Sequence, residues 1–165
     1  MVQIAEPIIR QYDPTAKILL CGGLNLNSGN AWNLKIDESF AEQLAAKNIT
    51  QFGDGFSMHA YPWGNQTGQK LWQQYSESLA FYRSVFCSNR PLEVWVTETG
   101  QNIEDSNIGL QAQYLSDSYG FFHGKVNEVF WYLLKDNIQE KSFGLIQNGT
   151  TRPAYQELQK AIAKL

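Results

Sequence analysis

The chain has 165 residues, a formal net charge of −3 and 13% aromatic residues. This length predicts one compact domain, residues 1–165, that can bury a sizeable core. The slight acidity, without any basic run interleaved with aromatic residues, argues against binding to nucleic acid or to an anionic membrane. No apolar run is long enough to span a bilayer, so we expect no membrane partner. The composition does not assign a cellular compartment.

Metal and redox chemistry have little support in the sequence. Cys21 and Cys87 are the only cysteines, and both lie in apolar surroundings, which favours two buried free thiols over a disulfide. His59 and His123 stand alone, without the spacing that metal ligands require. We therefore expect no cofactor and no metal.

The hydrophobic pattern alternates between short apolar runs, which are typical of buried strands, and amphipathic stretches, which are typical of helices. In chain order the predicted elements are the helix Val2–Tyr12, the strand Lys17–Cys21, the helix Ser39–Lys47, the strand Phe56–His59, the helix Gln69–Phe86, the strand Leu92–Thr97, the helix Leu110–Tyr119, the strand Val129–Leu134 and the helix Pro153–Leu165. One helix and four strand–helix units therefore account for the chain.

Strand–helix alternation predicts an α/β fold with a parallel sheet and right-handed crossovers. Two architectures fit this order: an open doubly wound sheet, or part of a (β/α)8 barrel. The Gly-rich turn Cys21–Asn25 lacks the third glycine of the dinucleotide fingerprint, which weakens the nucleotide-binding alternative. In a barrel, ligand chemistry would take place where the strands end.

The predicted strand ends carry residues suited to carbohydrate. Glu98 follows the β-branched and aromatic run Val94–Thr97 and precedes a glycine, which places one carboxylate at the mouth of the sheet. Aromatic faces stack on sugar rings, and polar groups bind sugar hydroxyls. The other candidates for substrate binding are His59, Tyr61, Trp63, Trp131, Asn25 and Trp32, with Asn25 and Trp32 in the loop after the first strand. For the tryptophans and for His59, ordinary core packing is the alternative.

An ordered set of motifs resembles clan A glycoside hydrolases, including families 5 and 39. The motifs are Asp13–Leu19 followed by Gly22-Gly23, Asp54–Trp63, Val96–Gly100, Phe130–Tyr132, Phe143–Ile146 and Arg152–Tyr155. The resemblance covers nearly the whole chain, and it is specific to the clan rather than to one substrate. It implies strands five to eight of a TIM barrel and retaining hydrolysis of O-glycosyl bonds in a β-linked polysaccharide or oligosaccharide.

The resemblance also implies individual roles. Glu98 matches the nucleophile at the end of the seventh barrel strand. His59 and Tyr61 match polar residues after the sixth strand, and Tyr61 could hydrogen-bond the Glu98 carboxylate. Trp131 matches an aromatic residue of the eighth strand that forms the floor of the sugar subsite.

The chain departs from the family pattern at the second catalytic carboxyl group. The acid/base glutamate of the family belongs to an Asn-Glu motif after the fourth strand, and that motif is absent. Glu6 lies too close to Asp13-Pro14 to fill this place and is assigned no catalytic role. The only substitute that the sequence offers is Asp136 from a second copy of the chain.

A half barrel would leave two bare sheet edges and an uncovered inner face. We therefore expect closure by a homodimer, a larger assembly or a complementing half barrel. The alternative function is a non-catalytic, homodimerising half barrel with weak or no carbohydrate binding. A small open-sheet α/β protein unrelated to sugars is a third possibility.

Overall fold

Four strands, each followed by a helix, form one parallel sheet in the computed structural model, which describes residues 1–26, 31–62, 66–104, 107–139 and 142–163 and omits the side chains of 31–36. The helices are α1 (Val2–Tyr12), α2 (Ala31–Ala46), α3 (Gln69–Phe86), α4 (Ile108–Phe122) and α5 (Pro153–Ile162). The sheet contains β1 (Leu19–Asn25), β2 (Gly55–Ala60), β3 (Glu93–Thr99) and β4 (Glu128–Trp131). A short hairpin, β5 (Ile146–Gln147) and β6 (Thr150–Thr151), precedes α5.

The strands lie in the order β1-β2-β3-β4, and every neighbouring pair is parallel. Because each crossover of this kind is right-handed, consecutive strand order places the connecting helices on one face of the sheet. A doubly wound sheet reverses its strand order and carries helices on both faces. The observed order excludes that alternative and confirms the predicted half (β/α)8 barrel.

The helix-covered face holds the main core. Phe56, Met58, Val94 and Val96 alternate along the two central strands and are buried, as expected when one sheet face packs against helices. The helix α3 contributes most of the facing side chains, which are Leu71, Tyr75, Leu79, Tyr82 and Phe86. Burial on this scale supplies most of the stability of a domain this size.

Polar groups within this covered face are paired. The hydroxyl groups of Thr99 and Tyr114 both donate to the carbonyl oxygen of Ala60, at 2.7 and 2.6 Å. The hydroxyl of Tyr75 lies 3.1 Å from that of Tyr114. These bonds join the carboxyl ends of β2 and β3 to α3 and α4, so the rim of the sheet has a rigid support.

The opposite face of the sheet is open. Trp95 and Phe130 stack on it with ring centroids 5.9 Å apart, and Phe130 is 46% exposed. In the helix α1, Ile4, Ile8 and Tyr12 are also exposed. This open apolar surface is what a half barrel leaves uncovered.

Several predicted boundaries are wrong. The strand β1 continues through Gly22-Gly23 to Asn25, β4 ends at Trp131 rather than Leu134, and α2 begins at Ala31 rather than Ser39. In α2, Phe40 is 47% exposed and Ala41 is buried. The hairpin β5–β6 was not predicted, although Asn148-Gly149 is the sequence typical of such a turn and both residues have positive φ.

Both cysteines are free thiols, as expected, and burial raises the pKa of the Cys21 thiol to about 12. None of the helices that the structure describes is long and apolar enough to cross a membrane.

Candidate active site

The end of β3 contains a bulge that decides where Glu98 points. Met58 pairs with Val96 and His59 pairs with Glu98, so Thr97 is an extra residue opposite β2. The register against β4 shifts at the same place. Val94 and Val96 face the helices, and strict alternation would send Glu98 to the same side. Because the bulge adds one residue, Glu98 lies on the open face instead.

Two side chains from the end of β2 contact the Glu98 carboxylate. The hydroxyl of Tyr61 donates to Glu98 Oε2 at 2.9 Å. His59 Nδ1 lies 3.4 Å from the same oxygen and forms an ion pair with it when the imidazole is protonated. Among the described residues, none forms a hydrogen bond or an ion pair with Glu98 Oε1. The protein therefore holds one carboxylate oxygen, and the other has no such partner among those residues.

The phenol of Tyr61 is suited to a permanent donor role. Burial, with a further contribution from the hydrogen bond to Glu98, raises its pKa well above the ordinary value. The phenol consequently stays protonated at neutral pH. The Glu98 side chain is itself 34% exposed, so the carboxylate is accessible to solvent.

Asn25, His59 and Glu98 form one row across three strands, because Asn25 pairs with His59 and His59 pairs with Glu98. Asn25 is the last residue of β1 and not a loop residue as predicted. Its side-chain amide donates to Asp37 Oδ2 at 2.6 Å, and its carbonyl oxygen accepts a bond from the Tyr82 hydroxyl at 3.1 Å. Asn25 thus lies at the same rim as Glu98, with its amide held by α2.

Trp131 lies beside the site but packs toward the helices. It pairs with the buried Thr99, packs against the cluster of Leu115 and Leu145, and donates from Nε1 to the carbonyl oxygen of Phe143 at 3.0 Å. These contacts fix one wall of the rim. The role of Trp131 as a sugar platform stays a prediction.

Two aromatic residues that the sequence analysis did not select lie closer to Tyr61. The rings of Tyr61, Tyr132 and Phe143 meet edge to face, with centroids 5.5 to 5.9 Å apart. We call these three rings the aromatic wall. The sequence did contain a signal for Tyr132. Successive residues of a strand point to opposite faces, so Tyr132 is expected on the face opposite to that of Trp131. Phe143 lies in a loop and gives no such signal.

Two of the predicted substrate-binding residues are not described. Trp63 lies outside the described residues. Trp32 belongs to the first turn of α2 rather than to a loop, and its side chain lies outside the described set. Their roles stay predictions.

Asp136, the suggested substitute acid, is engaged elsewhere. Its Oδ2 lies 2.5 Å from Arg152 Nη2, and its Oδ1 accepts a bond from the Gly144 backbone at 2.8 Å. The two side chains are only 9% and 3% exposed. A carboxylate in such a buried ion pair is structural, and it holds the loop that carries Phe143.

The fold and this rim define a class of protein: a partial (β/α)8 barrel with one carboxylate at the carboxyl ends of its strands, where barrel enzymes place their chemistry. Within the part of the chain that the structure describes, no group of acidic, histidine and cysteine side chains could hold a metal ion. The contacts described for Glu98 include no second carboxyl group.

Solved structures share this fold. A family 39 glycoside hydrolase from the gut symbiont Bacteroides cellulosilyticus matches with a TM-score of 0.68 at 23% identity, over 99% of this chain and 37% of its own. The family 10 endo-1,4-β-D-xylanase of Clostridium thermocellum, complexed with xylohexaose, gives 0.66 at 18% identity, over 96% and 32%. A family 128 endo-β-1,3-glucanase from Amycolatopsis mediterranei, in complex with laminaritriose, gives 0.56 at 18%, over 97% and 65%.

These similarities confirm, at the level of the fold, the resemblance to clan A glycoside hydrolases. The chain spans about one third to two thirds of the length of these neighbours. No protein-family profile matches the sequence, and no curated protein is similar to it.

Proposed function

We propose that this chain is the nucleophile-bearing half of a retaining glycoside hydrolase that acts on β-linked polysaccharides or oligosaccharides. The observation that carries this proposal is the bulged end of β3, which presents Glu98 on the open face with Tyr61 and His59 on a single carboxylate oxygen. The fold neighbours are glycoside hydrolases named for xylan-type and β-1,3-glucan substrates, which supports the substrate class.

In this proposal Glu98 Oε1 attacks the anomeric carbon of the bound sugar, and a glycosyl ester forms as the glycosidic C–O bond breaks. The leaving oxygen takes a proton from the acid/base group, which then deprotonates the water that hydrolyses the ester. The bond from Tyr61 to Oε2 orients the carboxylate, so that attack takes place from a fixed direction. The aromatic wall offers apolar ring surface to the sugar, and Trp131 is the predicted floor of the subsite. Asn25, Trp32 and Trp63 complete the predicted contacts to substrate.

The second catalytic carboxyl group has to come from outside the described contacts of Glu98. A retaining mechanism needs an acid/base group about 5 to 5.5 Å from the nucleophile. We propose that four further strand–helix units close the barrel, and that a complementing half barrel rather than a second copy supplies the carboxyl group, because Asp136, the only substitute that the sequence offers, is held in a buried ion pair. The uncovered edges β1 and β4 and the exposed Trp95–Phe130 stack support such a partner, because bare strand edges and apolar faces favour association.

A second candidate is a non-catalytic half barrel that folds by homodimerising. It is favoured by the absence of a second carboxyl group from the described contacts of Glu98 and by the buried pairing of Asp136. In that case the rim residues would bind sugar weakly or not at all.

Covalent trapping distinguishes the two candidates. We would incubate the chain with 2-fluoro dinitrophenyl glycosides of several sugars and measure intact mass, since an activated leaving group needs little acid assistance. The proposal predicts one sugar per chain, mapped to Glu98, and no adduct in Glu98→Gln. Glu93→Gln is the matched control, because Glu93 begins the same strand, pairs with Lys17 and should leave trapping unchanged.

The absence of an adduct with every sugar, from chains shown to be folded by circular dichroism, would contradict the catalytic proposal for the isolated chain and support the second candidate. Light scattering on the same samples tests self-association. A stable monomer at micromolar concentration would rule out the homodimer and leave a complementing half barrel as the partner.

A further inference from the structure

The strand β1 has a bulge of its own at the same rim. Leu20 pairs with Phe56 and Leu24 pairs with Met58, so the three residues 21–23 lie opposite Ser57 alone. Cys21 and Gly23 both have positive φ, at 60° and 89°. We call residues 21–23 the β1 bulge. Only glycine adopts such a backbone without strain, which accounts for Gly23.

The Ser57 hydroxyl holds the β1 bulge in place. It donates to the carbonyl oxygen of Cys21 and accepts the backbone N–H of Gly23 at 3.2 Å. Ser57 is only 4% exposed, so this hydroxyl is a buried polar group whose bonds to β1 satisfy both its donor and an acceptor site. The bulge is therefore a fixed feature and not a loose turn.

The β1 bulge brings the backbone of Gly23 against the ring of His59. A Cβ atom added at Gly23 would come within 2.6 Å of Cε1, Nε2 and Nδ1 of His59, closer than real Cβ contacts allow. The neighbouring Gly22 has open space around it, with nothing within 4 Å of an added Cβ. The close approach is thus specific to Gly23 and is not shared by its neighbour.

The ring that rests on Gly23 is the one that faces the candidate nucleophile. His59 Nδ1 lies 3.4 Å from Glu98 Oε2, and the ring of Tyr61 meets His59 edge-on with centroids 6.3 Å apart. The imidazole consequently has backbone against it from β1, an aromatic edge from Tyr61 and the carboxylate from β3. These contacts on three sides restrict the orientation of the imidazole.

We propose that Gly23 is a positioning residue for Glu98: the β1 bulge, fixed by Ser57, sets the imidazole of His59 against one carboxylate oxygen. In this proposal Gly23 acts on Glu98 through His59. This inference rests on the proposed function only for its effect on trapping. Its structural part, the dependence of the His59 ring position on the β1 bulge, stands by itself.

The test compares Gly23→Ala with Gly22→Ala, and adds Ser57→Ala, which removes the bonds to the bulge without adding an atom. The structural readout is the nuclear Overhauser effect between the Gly23 Hα protons and the His59 Hε1 proton. The functional readout is the rate of covalent trapping at Glu98. Urea denaturation of each variant measures stability separately.

We expect Gly22→Ala to keep both the Overhauser effect and the trapping rate. In Ser57→Ala we expect the Overhauser effect to weaken and covalent trapping at Glu98 to slow, each by less than in Gly23→Ala. In Gly23→Ala we expect the ring to be displaced and trapping to slow by about tenfold to hundredfold, the loss expected when a reacting group is misplaced by about an ångström. A merely structural role would lower stability in these variants but leave the trapping rate of the folded protein unchanged.

The inference would be overturned if Gly23→Ala trapped sugar at the parent rate, or if Ser57→Ala retained the full Overhauser effect. Should Gly23→Ala fail to fold, Ser57→Ala still decides both readouts. If the parent chain itself forms no adduct, the proposed function fails for the isolated chain. The Overhauser measurements then still decide whether the β1 bulge sets the His59 ring.

Discussion

The two faces of the sheet differ in almost every physical property. The covered face is close-packed, and Phe56, Met58 and Val96 on it are completely buried. The open face carries the half-exposed Phe130 and the solvent-accessible carboxylate of Glu98. Stability and the proposed function are thus assigned to opposite sides of the same four strands.

The strand β3 contributes both to the core and to the rim of the sheet. Alternating side chains of β3 build the core on one side, and only its last residues belong to the rim. The bulge at Thr97 changes the side of the sheet to which the following residue points. It places Glu98 on the open side while Val94 and Val96 stay in the core. The predictions below test how complete this division is.

The largest change in stability is expected for one of two phenylalanines that lie on opposite faces of the sheet. Phe56→Ala should lower the free energy of unfolding by about 3–5 kcal/mol, because it leaves a cavity in the covered face. Phe130→Ala should lower it by less than about 1 kcal/mol, because nearly half of that side chain is already in water. Urea denaturation followed by circular dichroism at low protein concentration measures both.

Equal losses for the two variants would show that the open face is packed in solution. Urea denaturation of both variants at high protein concentration then tests whether a second copy covers the open face. If a second copy covers the open face, the destabilisation caused by Phe130→Ala should grow with protein concentration, because that substitution weakens the association. The destabilisation caused by Phe56→Ala, measured against the parent chain, should stay the same at both concentrations.

Two tyrosine substitutions should affect covalent trapping and stability separately. Tyr61→Phe removes the hydrogen bond to Glu98 and should slow covalent trapping by up to about a hundredfold with little change in stability. Tyr75→Phe removes a hydroxyl from the covered face and should cost about 1 kcal/mol of stability while leaving trapping unchanged. The trapping rate and the urea midpoint are measured on each variant. The reverse pattern, with trapping lost in Tyr75→Phe, would contradict the division between the faces.

The smallest effect concerns α1, in which no residue is fully buried. Arg10 Nη2 binds both carboxylate oxygens of Asp54, at 2.8 and 2.7 Å. Burial acts to raise the pKa of Asp54, but the Ile18 N–H and the Arg10 guanidinium outweigh it and lower that pKa below its ordinary value. Asp54→Asn should therefore cost about 1 kcal/mol at pH 7.

The pH dependence of this last variant follows from the direction of the shift. A carboxylate with a lowered pKa stabilises the fold above its ordinary pKa and loses that contribution as the pH falls through the folded value. The unfolding free energies of the parent and of Asp54→Asn should thus begin to converge below about pH 4. Convergence is complete once the pH is below the lowered pKa of Asp54 in the folded chain. A difference that persisted unchanged into strong acid would show that the ionic contact contributes nothing.

Much of the fold could be predicted because the pattern is local. The helices Val2–Tyr12 and Gln69–Phe86 were predicted with the observed bounds, since a run of side chains at helical spacing identifies a helix from neighbouring residues alone. The β1 boundary was wrong because Gly22-Gly23 was interpreted as a stop. In the structure these glycines form a bulge whose hydrogen bonds come from Ser57, a residue distant in sequence.

The candidate site shows the same limit. The position of Glu98 at a strand end follows from its own sequence neighbours, and the structure places it there. The face to which it points depends on register against β2 and β4, which no local pattern reveals. Likewise, Phe143 reaches the aromatic wall because Asp136 and Arg152 fasten its loop, and that pairing links residues 16 positions apart.

The extra residue at Thr97 has a consequence for comparing and redesigning such chains. A gap-free alignment of β3 with an unbulged strand would match Glu98 to a residue that points into the protein interior, so relatives should be aligned with a one-residue gap beside the glutamate. The same offset offers an engineering rule. Deleting Thr97 would turn the carboxylate toward the helices, and inserting one residue before the last position of an ordinary buried strand would deliver a new side chain to the barrel mouth.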